Sequence, residues 1–181
     1  MEATSEMRVI YTAGHSTRPE EAFLSILRNF SIRTVADIRT LPRSRKNPQY
    51  DGQEFKRWLA GASIRYVQLR DLGGLRHPRK DSLNGGWKNT SFRGYADYMQ
   101  TPQFENALNE LISLASESTV VIVCAEAVPW RCHRSLVADA LLVRGIAVQH
   151  VMDANHSKPH VLTPWARVEG LRITYPPAVS V

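Results

Sequence analysis

Five short apolar stretches recur along the chain, and between them apolar positions return every three or four residues. Such alternation of strand-like and helix-like periods predicts βα repeats and a parallel sheet. Arg8 to Ala13 reads as a first strand that delivers Gly14-His15-Ser16-Thr17 at its end, with Thr17 as N-cap of a helix burying Phe23, Leu24, Ile26, Leu27 and Phe30. Thr34 to Arg39 reads as a second strand, Asp51 caps a helix through Phe55, Trp58 and Leu59, and Ile64 to Leu69 forms a third strand. Phe104, Leu108, Leu111, Ile112 and Leu114 mark a further helix. Val120 to Val123 is continuously β-branched, as a strand buried on both faces requires, and Cys124 closes it. Leu136, Val137, Ala140 and Leu141 then repeat at helical spacing up to a C-cap at Gly145, and Ala147 to Met152 is the fifth strand. Ile173 to Tyr175 adds an edge strand or a tail. The pattern predicts a Rossmann-like, three-layer α/β domain over residues 8–175 with a mainly parallel sheet of about five strands. Tails are expected at 1–7 and 176–181, and a long basic loop near 70–93.

The polar residues collect where strands end. Both cysteines flank one seven-residue loop: Cys124 ends a strand, and Cys132, His133, Arg134 and Ser135 crowd the start of the next helix. Pro129 blocks helix continuation just before them. Backbone N–H groups at a helix start, with Arg131 and Arg134 beside them, suit a phosphate, sulfate or carboxylate. The same field raises the thiolate fraction of a nearby thiol. Glu126 and His133 are candidate proton carriers. The competing explanation is that Cys124 is a small apolar residue closing a buried strand. His15 and Ser16 after the first strand, and Asp37 and Arg39 after the second, extend the polar set along the edge where open parallel sheets bind ligands.

The formal charge is +6, and the excess is local. From Arg39 to Arg93 the only acidic residues are Asp51, Glu54, Asp71 and Asp81, while Arg43, Arg45 and Lys46 form a basic run. Tyr50, Trp58, Tyr66, Trp87 and Phe92 interleave with these cations, which suits either a nucleic-acid track with stacking platforms or a solvated basic loop beside ordinary core aromatics. Gly73-Gly74 and Gly85-Gly86 fit no P-loop or dinucleotide pattern. Asp153, His156 and His160 show no metal-ligand spacing and read as loop residues. Met1 to Met7 is charged rather than signal-like, and no run of eighteen apolar residues occurs, so a soluble cytoplasmic protein with free thiols and no membrane partner is expected. A Cys124–Cys132 bridge is the alternative state of the pair.

Taken together, Gly14-His15-Ser16, Asp37-Ile38-Arg39 with Pro42 and Ser44, Leu72-Gly73-Gly74, Gly94-Tyr95-Ala96 with Tyr98-Met99, and Cys124-Ala125-Glu126 with Cys132-His133-Arg134 resemble the domain of unknown function 488 (DUF488) family, from about Val9 to His160. The resemblance implies one α/β domain and a pocket built from His15, Asp37, Arg39, Cys124, Glu126, Cys132, His133 and Arg134. It brings no reaction with it. A fainter likeness, of site architecture alone, is to the loops of rhodaneses and cysteine phosphatases.

The expectation is an enzyme acting on a phosphate-bearing substrate, a nucleotide or a nucleic acid. Cys124 or Cys132 is the nucleophile; His133, His15 or Glu126 moves protons, and Asp37 orients a base. Arg39, Arg131 and Arg134 grip the anion, with Ser16, Ser44, Gly73 and Gly74 lining its site. Arg43, Arg45 and Lys46 are the candidate nucleic-acid contacts. The alternatives are a nucleic-acid or nucleotide-binding module without turnover, and a metal held by Cys124, Cys132 and His133. No cofactor is required by the sequence.

Overall fold

The computed structural model describes residues 8–179; the tail expected at 1–7 and the last two residues lie outside that range. The elements follow in the order β1 (Val9–Gly14), α1 (Glu20–Asn29), β2 (Thr34–Asp37), α2 (Gly52–Gly61), β3 (Arg65–Gln68), α3 (Thr90–Tyr98), α4 (Pro102–Glu117), β4 (Val120–Cys124), α5 (Arg134–Leu142), β5 (Ala147–Val151), β6 (Ser157–Pro159), β7 (Arg167–Glu169) and β8 (Arg172–Thr174). The main sheet has six strands in the order β3-β2-β4-β1-β5-β6. Its first five are parallel, and β6 adds an antiparallel edge. Ile173 lies in β8, which pairs with β7 in a separate hairpin rather than extending the sheet.

Two apolar cores explain the three layers. Phe23, Ile26 and Leu27 of α1 and Phe55, Trp58 and Leu59 of α2 pack with Val35, Val121 and Val123 on one face. The helices α3, α4 and α5 cover the other, where Tyr95, Phe104, Leu108, Leu111, Leu136 and Val137 meet Ala36, Ile122 and Val148. Alternate residues of β4 face opposite cores, and all five of its residues are buried, which accounts for its unbroken β-branched run. Because β1 leads to α1 and β4 leads to α5, these neighbouring strands send their chains to opposite faces. A crevice must therefore open at their carboxyl ends. Gly14 and Cys124 are register partners at that point.

Two expected helix caps change. Pro19, not Thr17, occupies the N-cap of α1, because Thr17 is used in a tight turn where the Arg18 N–H donates to the His15 carbonyl at 3.1 Å. Asp51 stands at the N-cap of α2 without a side-chain cap; its carbonyl accepts from Phe55 N–H instead. The long basic loop expected near 70–93 is anchored before it reaches α3. Buried Asp97 accepts from Arg79 N–H at 2.8 Å, from the Ser82 hydroxyl at 2.6 Å and from the Asn84 amide at 2.7 Å. No helix among the described residues is long and apolar enough to cross a membrane.

Candidate active site

At the β1/β4 crevice the chain brings together groups up to about 120 residues apart. The His15 N–H donates to the Cys124 carbonyl and the Ser16 N–H to the Ala125 carbonyl, both at 2.9 Å, so the β1 turn runs alongside the loop that follows β4. Only a glycine permits this at position 14: a Cβ there would stand 1.9 Å from the Glu126 carbonyl oxygen. The loop closes with a 3-10 turn over Pro129–Arg131 and returns Cys132 to the end of β4. The two sulfurs meet at 2.9 Å as free thiols.

The environment separates their protonation. Cys132 lies just before α5, where the Arg134 N–H donates to its sulfur at 3.5 Å and His133 Nδ1 stands 3.7 Å away. Hydrogen bonding from the Cys124 thiol, reinforced by His133 and by the Arg134 charge, holds the Cys132 thiol well below its usual range despite burial. Burial, together with donation to Cys132, pushes the Cys124 thiol well up. Of the two, Cys132 is therefore the thiol more readily ionised, with Cys124 the donor towards it.

Arg134 departs from its expected place. Its side chain is fully buried, with one terminal nitrogen donating to Thr12 Oγ1 at 3.2 Å and the other to the carbonyls of Glu126 at 2.7 Å and Ala127 at 3.3 Å. It does not project into the cleft. It pins the thiol loop and forms no carboxylate ion pair among the described residues. A buried guanidinium without a carboxylate needs another counter-charge. Its charge is one of the causes that lower the Cys132 thiol.

A cleft of about 400 Å³ opens above the sulfurs. Of the expected residues, His15, Arg39, Ser44, Arg43, Gly74, Cys124, Glu126, Arg131, Cys132 and His133 line it. Asp37 is buried beneath, taking two hydrogen bonds from the Arg39 guanidinium at 2.9 and 2.6 Å and one from the Tyr66 hydroxyl at 2.7 Å. Asp37 thus orients Arg39 rather than a base. His15 is stacked on Tyr50 at 4.1 Å, and its Nδ1 donates to the Ser16 carbonyl, leaving Nε2 as an acceptor 3.4 Å from Arg39. Burial lowers its pKa to about 4, so it is neutral at neutral pH. Ser16, at a positive φ of 48°, and Gly73 do not line the cleft as expected, and Arg45 and Lys46 are exposed outside it. Phe92 and Tyr95 also line it, as do Thr40, Leu41, Leu75 and Ser91, which the sequence does not mark. Tyr95 carried a signal, since it sits in one of the family's motifs.

Of the interleaved aromatics, only Phe92 lines the cleft. Tyr50 and Trp58 are buried, Tyr66 serves Asp37, and Trp87 packs edge-on to Phe92 and Trp165. Among the described residues no three His, Cys, Asp or Glu side chains are placed to hold a metal, so Cys124, Cys132 and His133 do not form the ligand set that composition allowed.

These motifs can now be compared with known families. Residues 19–141 match the family described as Domain of unknown function DUF488. The chain belongs to that family. Neither curated proteins nor solved structures give a match. The DUF488 segment holds Asp37, Arg39, both cysteines and Arg134, and it is shorter at each end than the motif resemblance from Val9 to His160. His15 lies before it, and His150 and His160 lie after it.

Those last two histidines belong to a second buried assembly on the far side of the thiol loop. His150 contacts Thr12 Oγ1 through Nδ1 at 2.6 Å and His160 through Nε2 at 2.8 Å, and His160 Nε2 reaches Asp139 at 2.7 Å. Since Asp139 also accepts from the Tyr175 hydroxyl at 2.7 Å, the hydrogens have one consistent order: Arg134 to Thr12, Thr12 to His150, His150 to His160, His160 to Asp139. Burial, with His160 and Arg134 adding to it, lowers the His150 pKa to about 3.

Proposed function

We propose that this DUF488 protein is a cysteine-dependent enzyme acting on a phosphate-bearing substrate, a nucleotide or a nucleic acid. One observation carries the proposal: Cys132 lies at the floor of a cleft, 2.9 Å from the Cys124 sulfur and 3.5 Å from a helix-start N–H, in a loop pinned by a buried guanidinium that pairs with no carboxylate among the described residues. A thiolate is the form that acts as nucleophile. Arg43 and Arg131 are the cleft's cations without an ion pair among the described residues, and they are the groups available to an incoming anion. In this scheme the Cys132 sulfur bonds to phosphorus as the leaving oxygen departs and takes up a proton. Neutral His15, through Nε2, then accepts a proton from the water that releases the phosphoryl group. Two free thiols in contact fit a reducing compartment such as the cytoplasm.

Turnover of a panel of nucleotides and phosphate monoesters and diesters by wild type, Cys132→Ser and Cys124→Ser tests the proposal. Wild-type turnover lost in Cys132→Ser supports it; full turnover in Cys132→Ser, or none by wild type, removes it.

One feature favours a second reading, a nucleic-acid-binding module without turnover. Arg43, of the exposed run Arg43, Arg45 and Lys46, also lines another polar hollow of about 570 Å³, together with Lys56 and Arg70. Salt-sensitive retention of mixed nucleic acid, weakened when the three residues of the run become alanine, supports this reading; no retention at low salt refutes it.

A further inference from the structure

A cysteine nucleophile has no need of a second thiol, yet Cys124 is held against Cys132 by two independent elements, the end of β4 and the start of α5. Their Sγ–Sγ distance of 2.9 Å is about 0.9 Å longer than the roughly 2.0 Å of a covalent disulfide. One sulfur is positioned to attack and the other to resolve. The cleft above them contains the unpaired cations Arg43 and Arg131 and the hydroxyls of Ser44 and Ser91, which suit carboxylates as well as phosphate.

We propose that Cys132 and Cys124 form a working dithiol that exchanges with low-molecular-weight disulfides bearing carboxylates. The Cys132 thiolate attacks one sulfur of the disulfide; the substrate S–S bond breaks, a mixed disulfide forms, and the departing thiolate takes a proton from water. Cys124 then gives its proton to solvent and attacks the Cys132 sulfur. The second substrate thiolate leaves and is protonated, and an internal Cys124–Cys132 bond remains. Two thiols have lost two electrons, and one disulfide has become two thiols. Excess thiol reverses both steps. The inference rests on the Cys132 thiolate of the reading above, not on its phosphate substrate. While the bond is closed, Cys132 cannot act on phosphorus.

The reduced full chain, incubated with oxidised glutathione and mapped by peptide mass spectrometry, tests this directly and requires no variant. Loss of the mass of two hydrogens with a cross-linked Cys124–Cys132 peptide is expected, reversed by excess glutathione. Cys124→Ser should stop at a stable glutathionyl adduct on Cys132, and Cys132→Ser should react about tenfold more slowly. Replacing Arg43 and Arg131 by serine should slow oxidised glutathione about fivefold while sparing an uncharged disulfide. Absence of the cross-link in wild type, or an adduct on Cys124 in place of Cys132, overturns the proposal. Wild-type cross-linking without phosphate turnover would leave the exchange standing and remove only the phosphate reading. Phosphate turnover lost in Cys132→Ser, with no cross-link in wild type, would do the reverse.

Discussion

Two buried polar assemblies flank the loop from Ala125 to Arg131, and they differ in what they leave unused. In the chain from Thr12 through His150 and His160 to Asp139, every ring nitrogen has a partner, and Tyr175 and Thr163 complete the carboxylate. Nothing in it is free to meet a ligand, although a histidine–aspartate pair is the combination most readily called catalytic. On the other side, His15 Nε2 accepts only a long contact, His133 Nε2 is buried without a partner among the described residues, and Cys132 lines an open cleft. Residue type alone does not tell scaffold from chemistry; unspent hydrogen-bonding capacity beside a cavity does. Arg134 joins the two assemblies, with one nitrogen on Thr12 and another on the thiol loop.

The sharpest way to break the contrast is Cys132→Ser. Turnover should fall by about 10³-fold or more, a far larger loss than any change in the urea midpoint measured beside it. Arg134→Met should do the opposite first. Leaving two loop carbonyls and Thr12 without their donor is expected to lower stability by about 3 kcal/mol in urea unfolding. The same variant should shift the thiol alkylation profile to higher pH, because the charge facing Cys132 is gone. If Arg134→Met leaves that profile unchanged, the guanidinium is not the thiolate's counter-charge.

The histidines give a smaller, graded effect. Their folded pKa values, about 4 for His15 and about 3 for His150, lie below the ordinary 6.5. Below pH 6.5 the unfolded chain therefore binds protons that the folded chain refuses. Stability present above pH 6.5 is lost as pH falls towards 4 and then 3, by about 1.4 kcal/mol per pH unit for each histidine. Unfolding measured from pH 7 to 4 should show that slope, and His150→Asn should remove about half of it; an unchanged slope would mean that His150 is protonated in the fold. The smallest effect on the fold is expected from replacing Arg43, Arg45 and Lys46 with alanine. Stability should stay within about 0.5 kcal/mol, while any nucleic-acid binding loses salt dependence by about 0.9 in logarithmic slope for each phosphate contact removed.

Periodicity made the layers legible because each buried face repeats at its own spacing, as Phe23, Ile26 and Leu27 do on α1 and Val120 to Cys124 do on β4. It also placed His15, Arg39, Cys124 and Cys132 at one edge, since parallel strands all end there. It could not show where long side chains turn. Arg134 looks like an anion-binding residue at a helix start, and only the packed structure shows its guanidinium threading inwards to Thr12. Tyr66 reads as one apolar member of an alternating strand, whereas its hydroxyl is committed to Asp37 on the neighbouring strand. His160 and Tyr175 sit in segments without periodicity, so their convergence on Asp139 left no local trace.

The vacancy of a single methyl at Gly14 has a practical corollary for anyone reshaping this protein. With the Glu126 carbonyl against that position, even alanine would wedge strand and loop apart and draw the sulfurs out of alignment. Diversity aimed at new specificity belongs instead at Leu41, which is 60% exposed at the rim and can vary without disturbing the floor.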